Sequence, residues 1–400
     1  MTIVGSTYIE KCLYPYWNEL YGSGWRAACA LSDHTEDIDF YTYLDKEDKK
    51  NLQLFPTYNI IKTVETVDID QTIVFDYFHG LSEPKIYPPI NMITQNKTIE
   101  VSDSVVLRYG FLEGDAKVKG ERVIYDPQSA TNPKDFYENG SEADELVLVL
   151  NFREAYLMTG ERDIQEISKK LLQKNTVGII LKEGPAGGKI ITEKNIDSFS
   201  AYQTNFVFPI GSGDIFAAFI AYYWGKEEKG LTEAATLASK AVAAYCESQV
   251  LPIKKGYESK QFIPIKNPLA SRAPTVYLAG PFFNMHQRWL IEEARNNLIS
   301  KSFKVFSPIH DVGRGVAEDV VPADIQGIHD SDIIFAILDG LDSGTVFEVG
   351  FAIALGKKVV VYVVDETEED LKMLEGTGCY IVRDFVSAIY KTKWLSLESV

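Results

Sequence analysis

From Thr275 onward the chain alternates apolar strands with helices so regularly that few folds can accommodate it. "TVYLAG" is a compact apolar strand, "HQRWLIEEARNNLISK" a helix with Trp289, Leu290, Ala294 and Leu298 at helical spacing, and "KVFSP" another strand. "PADIQGIHDSD" then reads as helix, "IIFAILDG" as strand, "TVFEVGFAIALG" as helix and "KKVVVYVV" as strand. Strands that are apolar throughout, rather than alternating with polar residues, belong in a parallel sheet covered by helices on both faces.

The stretch 251–273, rich in Pro, Lys and Ser and without a period, reads as a linker between domains 1–250 and 274–400. Before it, "ERVIYDP", "ELVLVLN" and "TVGIILKEG" read as buried strands. "REAYLMTG", "DIQEISKKLLQK", "SGDIFAAFIAYYWG" and "LTEAATLASKAVAAYC" read as helices. Residues from Asp33 to Thr98 show no clean period. A chain of 400 residues with a formal net charge of -17 repels nucleic acid and anionic membranes over most of its surface. Cys12, Cys29, Cys246 and Cys379 are scattered without metal-ligand spacing, and no uncharged apolar run reaches the roughly 18 residues of a membrane span. No basic segment followed by a long apolar stretch opens the chain. A cytoplasmic chain without a metal, membrane or nucleic-acid partner is expected.

Glu348 raises the chemical question, because ligands of parallel α/β sheets sit where strands run out into helix N-termini. One reading is structural: Thr345-Val346-Phe347-Glu348 fits a capping box, with Glu348 bonding back to the cap amide. That accounts for one acid, yet Asp342 lies six residues earlier on the loop with Ser343 and Gly344, and Asp324 lies on the preceding helix. "TVYLAGPFF", "PADIQGIHDSDIIFAILDG" and "DSGTVFEVGFAIALGKKV" together resemble the nucleoside 2-deoxyribosyltransferase family and its nucleoside-monophosphate N-glycosidase relatives, over most of 275–364. The resemblance implies a flavodoxin-like fold, Glu348 as nucleophile, Asp342 as acid/base at the nucleobase, and Asp324 orienting the sugar or the nucleophile. Tyr277, Gly280, Pro281, Phe282, Ser343 and Gly344 would line the pocket for a nucleoside or nucleotide, with no cofactor. An ionised Glu348 would stabilise the positive charge that develops at the anomeric carbon, and a helix N-terminus would favour that ionisation by about 0.3 to 1 kcal/mol. The family's Asn near the C-terminus, often supplied by a neighbouring subunit, has no counterpart here, because no Asn follows Asn297. Transfer to a second base and hydrolysis therefore both stay open. A homo-oligomer is expected.

In the first domain, "FPIGSGDIFAAFIAYYW" sets a Gly-rich turn at the mouth of an apolar helix. Such a turn offers amides to an anion, with an acid beside it to take a proton; Ser212 or Asp214 as an ordinary N-cap is the structural alternative. With Asn151 and Glu154 in "LNFREAYLMTG", the glycines of "LKEGPAGG" and Asp126 in "VIYDPQS", the set resembles ribokinase-like (PfkB-type) carbohydrate and nucleoside kinases over about 98–250. By that resemblance Gly211, Ser212 and Gly213 form an anion hole and Asp214 is the base. Asn151 and Glu154 help to bind Mg²⁺ and phosphate, and Lys182, Gly184 and Gly187 border ATP. Two departures stand out: Phe208-Pro209 replaces the family's Asp-Thr pair, and "YGSGWRAACALS" replaces its sugar-binding stretch. The first domain is thus either an ATP- and Mg²⁺-dependent kinase or a nucleotide-sensing or scaffolding module. The five histidines suggest no site, "FDYFHG" reads as core or lid packing or as a nucleobase shelf, and the run "DETEED" reads as a solvated helix start.

Overall fold

A computed structural model describes residues 1–266 and 272–398, which form two compact units. The first comprises Met1–Thr204 and Phe208–Pro264, the second Asn205–Val207 and the chain from Ile265 onward. Of the expected linker, residues 251–264 therefore lie in the first unit, where Ile253 and Tyr257 are buried. Residues 267–271 of it lie outside the described residues.

In the first unit the strands are β1 (Thr2–Val4), β2 (Ile9–Tyr14), β3 (Trp17–Leu20), β4 (Asp39–Leu44), β5 (Thr63–Asp68), β6 (Val74–His79) and β7 (Lys85–Tyr87), followed by β8 (Ile99–Tyr109), β9 (Ala116–Asp126), β10 (Glu142–Asn151), β11 (Thr176–Lys182), β12 (Gly188–Ile191) and β13 (Ile196–Phe199). The helices are α1 (Gly22–Leu31), α2 (Lys46–Leu52), α3 (Phe152–Thr159), α4 (Ile164–Leu171), α5 (Ser212–Ile220) and α6 (Leu231–Ser248). Nine strands make one sheet in the order β13-β12-β11-β10-β9-β8-β1-β4-β5, parallel from β11 to β5 with an antiparallel edge. The chain winds from β1 outward to β4 and, in the opposite direction, from β10 through α3 and α4 to β11. Right-handed crossovers in opposite directions put helices on opposite faces, and the order reverses at the β1–β8 junction. The region that shows no period in sequence supplies β4 to β7. Part of it joins β2 and β3 in a second, mixed sheet, β3-β2-β6-β7. "FDYFHG" belongs to β6 there, with Phe75 against Tyr8 at 4.4 Å between ring centroids.

The helix expected over "SGDIFAAFIAYYWG" widens after Ile220 into π turns over Ala221–Lys226, where Glu227 N–H donates to Tyr222 O at 2.9 Å.

The second unit carries β14 (Thr275–Ala279), α7 (Met285–Ser300), β15 (Lys304–Phe306), α8 (Pro308–Asp311), α9 (Ala317–Asp330), β16 (Ile333–Leu338) and α10 (Ser343–Ala354). It continues with β17 (Lys358–Val363), α11 (Glu368–Glu375), β18 (Tyr380–Val382) and α12 (Phe385–Leu397). Its sheet is wholly parallel, in the order β15-β14-β16-β17-β18, and reverses direction between β14 and β16. One face, built by Tyr277, Ala279, Ile334, Ala336, Leu338, Val359, Val361 and Val363, packs on Ile328 of α9, Val349 and Ala352 of α10, and Leu371 and Leu374 of α11. The period-2 spacing puts Tyr277 on the face that α10 covers. No described helix is long and apolar enough to cross a membrane. Both units are α/β with doubly wound sheets, as the strand and helix patterns imply.

Candidate active sites

In the second unit the carboxyl ends of β14 and β16 lie side by side at the reversal point, and α10 begins just beyond β16. Asp342 is the N-cap of α10: its Oδ2 accepts hydrogen bonds from Thr345 N at 2.8 Å and Thr345 Oγ1 at 2.9 Å. Such a cap stabilises a helix by about 0.5 to 2 kcal/mol. The capping-box reading of Thr345 and Glu348 is therefore corrected: Thr345 receives the cap rather than providing it, and Glu348 stands in the second turn. Glu348 instead accepts, at Oε1, a 2.6 Å hydrogen bond from Tyr277 Oη. Tyr277 is fully buried and held by stacking on Phe306, with ring centroids 5.4 Å apart and planes 18° from parallel.

Burial pushes the Glu348 carboxyl up to about 7; the Tyr277 bond pulls it down, and the charges of Asp324 and Asp342 push it further up. The expectation that the helix N-terminus would keep Glu348 ionised fails on magnitude. A macrodipole effect fades beyond the first turn, whereas desolvation acts on the carboxylate directly. Asp324, on α9, has its pKa raised by burial as well, and its Oδ1 is buried without a hydrogen-bond partner. Three acids thus converge, as the electrostatic influence of two of them on the third requires.

Gly280, Pro281 and Phe282 follow β14 directly, with Pro281 buried and Phe282 O accepting from Arg288 Nε at 3.0 Å. Ser343 and Gly344 open α10 and are exposed. Sequence reasoning missed two supports of this site. Phe306 backs Tyr277 and abuts Gly327, where a Cβ would come 2.4 Å from its ring. Glu366, inside the run expected to be solvated, is buried and accepts from Gly340 N at 2.7 Å, fixing the loop that leads to Asp342. The rest of that run behaves as expected, with Thr367 and Asp370 closing a capping box at α11.

In the first unit the Gly-rich turn does open a helix. Gly211 is the N-cap of α5 with φ +76°, and Ser212, Gly213 and Asp214 are its first three residues. Asp214 is buried, which pushes its carboxyl up to about 7; Arg26 lowers it, Glu10 and Asp126 raise it, and the Gln128 bond lowers it. Both oxygens are engaged. Gln128 Nε2 donates to Oδ1 at 2.6 Å, and Arg26 Nε pairs with Oδ2 at 3.4 Å. Lys182, at the end of β11, pairs through Nζ with Asp126 at the end of β9 at 2.8 Å. The same Nζ stands 3.7 Å from where a Cβ of Gly213 would lie, so a cation borders the turn.

Asn151 and Glu154 close a capping box at α3, each side chain accepting from the other's amide, at 2.9 Å and 2.8 Å. Burial and the Asp126 charge push Glu154 up to about 7. Gly184 and Gly187 turn the chain between β11 and β12 with φ +56° and +93°, and a Cβ on Gly187 would meet Phe199 O at 2.1 Å. Arg26, Glu10 and Gln128 were not anticipated. The available signal was an arginine inside the otherwise apolar "GWRAACAL", since a cation there has to find a buried partner. Among the described residues no group of side chains could hold a metal ion. His34, His79 and His310 each make local contacts, His34 Nε2 to Ile253 O at 3.0 Å, Leu81 N to His79 Nδ1 at 3.1 Å, and His310 Nε2 to Glu292 at 2.7 Å.

Residues 276–381 match the family model described as nucleoside 2-deoxyribosyltransferase, so the second unit carries a domain of that family. No curated protein sequence matches the chain significantly. Among solved structures, the ribokinase of Thermotoga maritima is similar over 64% of this chain and 94% of its own, with 17% identity and a TM-score of 0.45. The ribokinase of Arabidopsis thaliana, solved with ribose and ATP, is similar over 64% and 97%, with 15% identity and a TM-score of 0.47. The fructokinase of Vibrio cholerae is similar over 64% and 95%, with 14% identity and a TM-score of 0.45. At these values the likenesses bear on neither substrate nor activity.

Proposed function

We propose that the second unit cleaves the N-glycosidic bond of a nucleoside, 2'-deoxynucleoside or nucleoside monophosphate, with Glu348 as nucleophile. The observation that carries this reading is the Tyr277–Glu348 hydrogen bond of 2.6 Å at the reversal point of a parallel sheet, with two further acids bearing on the same carboxyl. Glu348 attacks the anomeric carbon as the bond to the base nitrogen breaks, forming a glycosyl ester. The electron pair leaves with the base, which takes up a proton. Water or a second base then attacks the ester and returns the Glu348 carboxylate. Tyr277 aligns Oε1 and favours its charged form.

Two acids can supply the proton. Asp342 faces the task with Oδ2 committed to the helix cap. Asp324, whose carboxyl burial pushes upward and whose Oδ1 has no hydrogen-bond partner, is therefore favoured as donor, with Asp342 as the residue that sets the first turn of α10. The test is base release from a panel of nucleosides and their monophosphates, followed by chromatography with mass detection, with and without a free acceptor base. Base release from the wild type and none from Glu348→Gln supports the reading, and equal rates refute it. Exchange with the added base separates transfer from hydrolysis. A homo-oligomer is part of the proposal on the resemblance alone, since pockets of that family are commonly completed across subunits.

For the first unit two readings compete: a kinase using ATP and Mg²⁺ on a sugar or nucleoside hydroxyl, with Asp214 as base and Gly211, Ser212 and Gly213 at the phosphate, or a module that binds nucleotide without transfer. The paired state of Asp214 favours the second. Asn151 and Glu154 close a helix cap, and any Mg²⁺ in the kinase reading would be expected to come with the nucleotide. ATP binding without acceptor-dependent ADP formation is the expected result. ADP formation that disappears in Asp214→Asn would restore the kinase.

A further inference from the structure

A buried charge network lies on the Gly-rich turn of the first unit. Arg26, on α1, has no exposed surface. Its Nη1 donates to Tyr245 Oη at 2.6 Å, its Nη2 pairs with the buried Glu10, and its Nε faces Asp214 Oδ2 at 3.4 Å. The guanidinium lies 4.8 Å from the Tyr21 ring centroid and 5.6 Å from that of Tyr245. A Cβ on Gly211 would come 1.9 Å from Arg26 Nε and 2.3 Å from its Cζ. The turn is therefore glycine at 211 because the guanidinium is packed onto it, in addition to the left-handed φ.

We propose that Arg26 is an internal plug: its guanidinium fills the place over the α5 turn where an accepting hydroxyl and an incoming phosphoryl group would have to meet. The inference rests on the kinase-like reading of this unit and specifies its regulation. In the transfer that the plug prevents, an acceptor O–H gives its proton to Asp214 while its oxygen bonds the terminal phosphorus. The bond from that phosphorus to the bridging oxygen breaks, and the electron pair leaves with ADP. With Arg26 in place, Oδ2 of Asp214 faces a cation and Oδ1 faces the Gln128 amide, so neither is turned to a hydroxyl. An arginine kept for phosphate binding would leave its donors open to a ligand. Two of Arg26's nitrogens, Nη1 and Nη2, are instead spent on Tyr245 and Glu10, while Nε lies 3.4 Å from Asp214 Oδ2 without a hydrogen bond of its own and is turned to that carboxylate rather than to open space.

The test compares the full-length wild type with the double variant Arg26→Met, Glu10→Gln, which removes the cation together with its strongest anionic partner. Calorimetry measures ATP·Mg²⁺ binding, and ADP release is followed with water, sugars and nucleosides as acceptors. The wild type is expected to bind ATP and release no acceptor-dependent ADP. The double variant should bind at least as tightly and release ADP, a gain abolished by adding Asp214→Asn. Binding weakened by about tenfold or more would mark Arg26 as a phosphate ligand and overturn the plug. So would Asp214-dependent ADP release from the wild type, or an ATP-binding double variant that makes no ADP. Should neither protein bind ATP, the kinase-like reading itself falls and the plug with it. If circular dichroism shows the double variant unfolded, Arg26→Lys serves instead, since it keeps the charge for Glu10 and withdraws Nε from the turn.

Discussion

Tyr277→Phe is the most informative single change in the second unit. It deletes one hydroxyl, leaves the ring stacked on Phe306, and removes the only donor seen at Glu348 Oε1 among the described residues. A hydrogen bond donated to a carboxylate favours the charged form, so its loss raises the Glu348 pKa. Bonds to charged groups contribute about 1.5 to 3 kcal/mol. At about 1.36 kcal/mol per pH unit, that is a rise of about one to two units. Starting from about 7, the variant's Glu348 would titrate at about 8 to 9. At pH 7 the ionised fraction then falls from about one half to between about one tenth and one hundredth, a loss of about 5- to 50-fold in base release. At pH 9 the deficit should shrink to about twofold or less, because most of the carboxyl is charged again. The assay is the pH dependence of kcat/KM for base release between pH 5 and 9.5, with thermal unfolding as a control. An acidic limb that stays in place, or moves to lower pH, refutes the claim that an ionised Glu348 held by Tyr277 is the nucleophile.

Glu348 should also govern stability. Its folded pKa lies above the ordinary glutamate value, so between about 4.5 and about 7 the unfolded state binds fewer protons and stability falls as pH rises. Glu348→Gln should therefore be more stable than wild type at pH 8, with the difference fading toward pH 5 in thermal melts. Asp342→Ala should lose about 0.5 to 2 kcal/mol through the α10 cap and lower Tm, while Asp342→Asn keeps most of it. If Asp342 is also the proton donor, the Asn variant stays folded yet inactive. Asp324→Asn should stay folded and lose base release if Asp324 supplies the proton to the departing base. Base release that survives in Asp324→Asn and is lost in Asp342→Asn returns the donor role to Asp342.

How far the sequence alone reaches depends on what kind of interaction places a residue. The second unit was legible almost strand by strand, because its buried parallel strands are runs of apolar residues and its helices show their spacing. The lower-period region 33–98 was not, because β4 to β7 face partner strands and solvent with Tyr, Asp and Thr, residues that suit several environments. Glu348, Asp342 and Asp324 were found by motif order, but their electrostatics were misjudged: local position near a helix start is visible in sequence, whereas the depth that desolvates Glu348 is set by β14 and α9. Arg26 shows the same limit. Its partners Glu10, Asp214 and Tyr245 are as many as 219 residues away, and only folding reveals that "GWRAACAL" carries the counter-ion of a turn so distant in the chain.

The two candidate centres make opposite use of a similar starting point. Each unit sets an acid near the start of a helix at the carboxyl end of a parallel sheet, and in each case burial pushes that acid up to about 7. Around Asp214 the response is a cation, Arg26, brought into the core and itself tied to Glu10. A buried ion pair of this kind is held by its own mutual attraction, and breaking it by removing one member leaves an uncompensated charge, at a cost of about 3 to 5 kcal/mol. Around Glu348 the partner is a neutral hydroxyl, and the charges that bear on it are those of Asp324 and Asp342. A carboxylate with no cation at hand gains the most when positive charge appears beside it, which is the charge an anomeric carbon develops as its base departs. Asp214 has a counter-ion, whereas among the described residues no cation pairs with Glu348. On the reading proposed for Glu348, that difference is what suits the second unit to covalent chemistry.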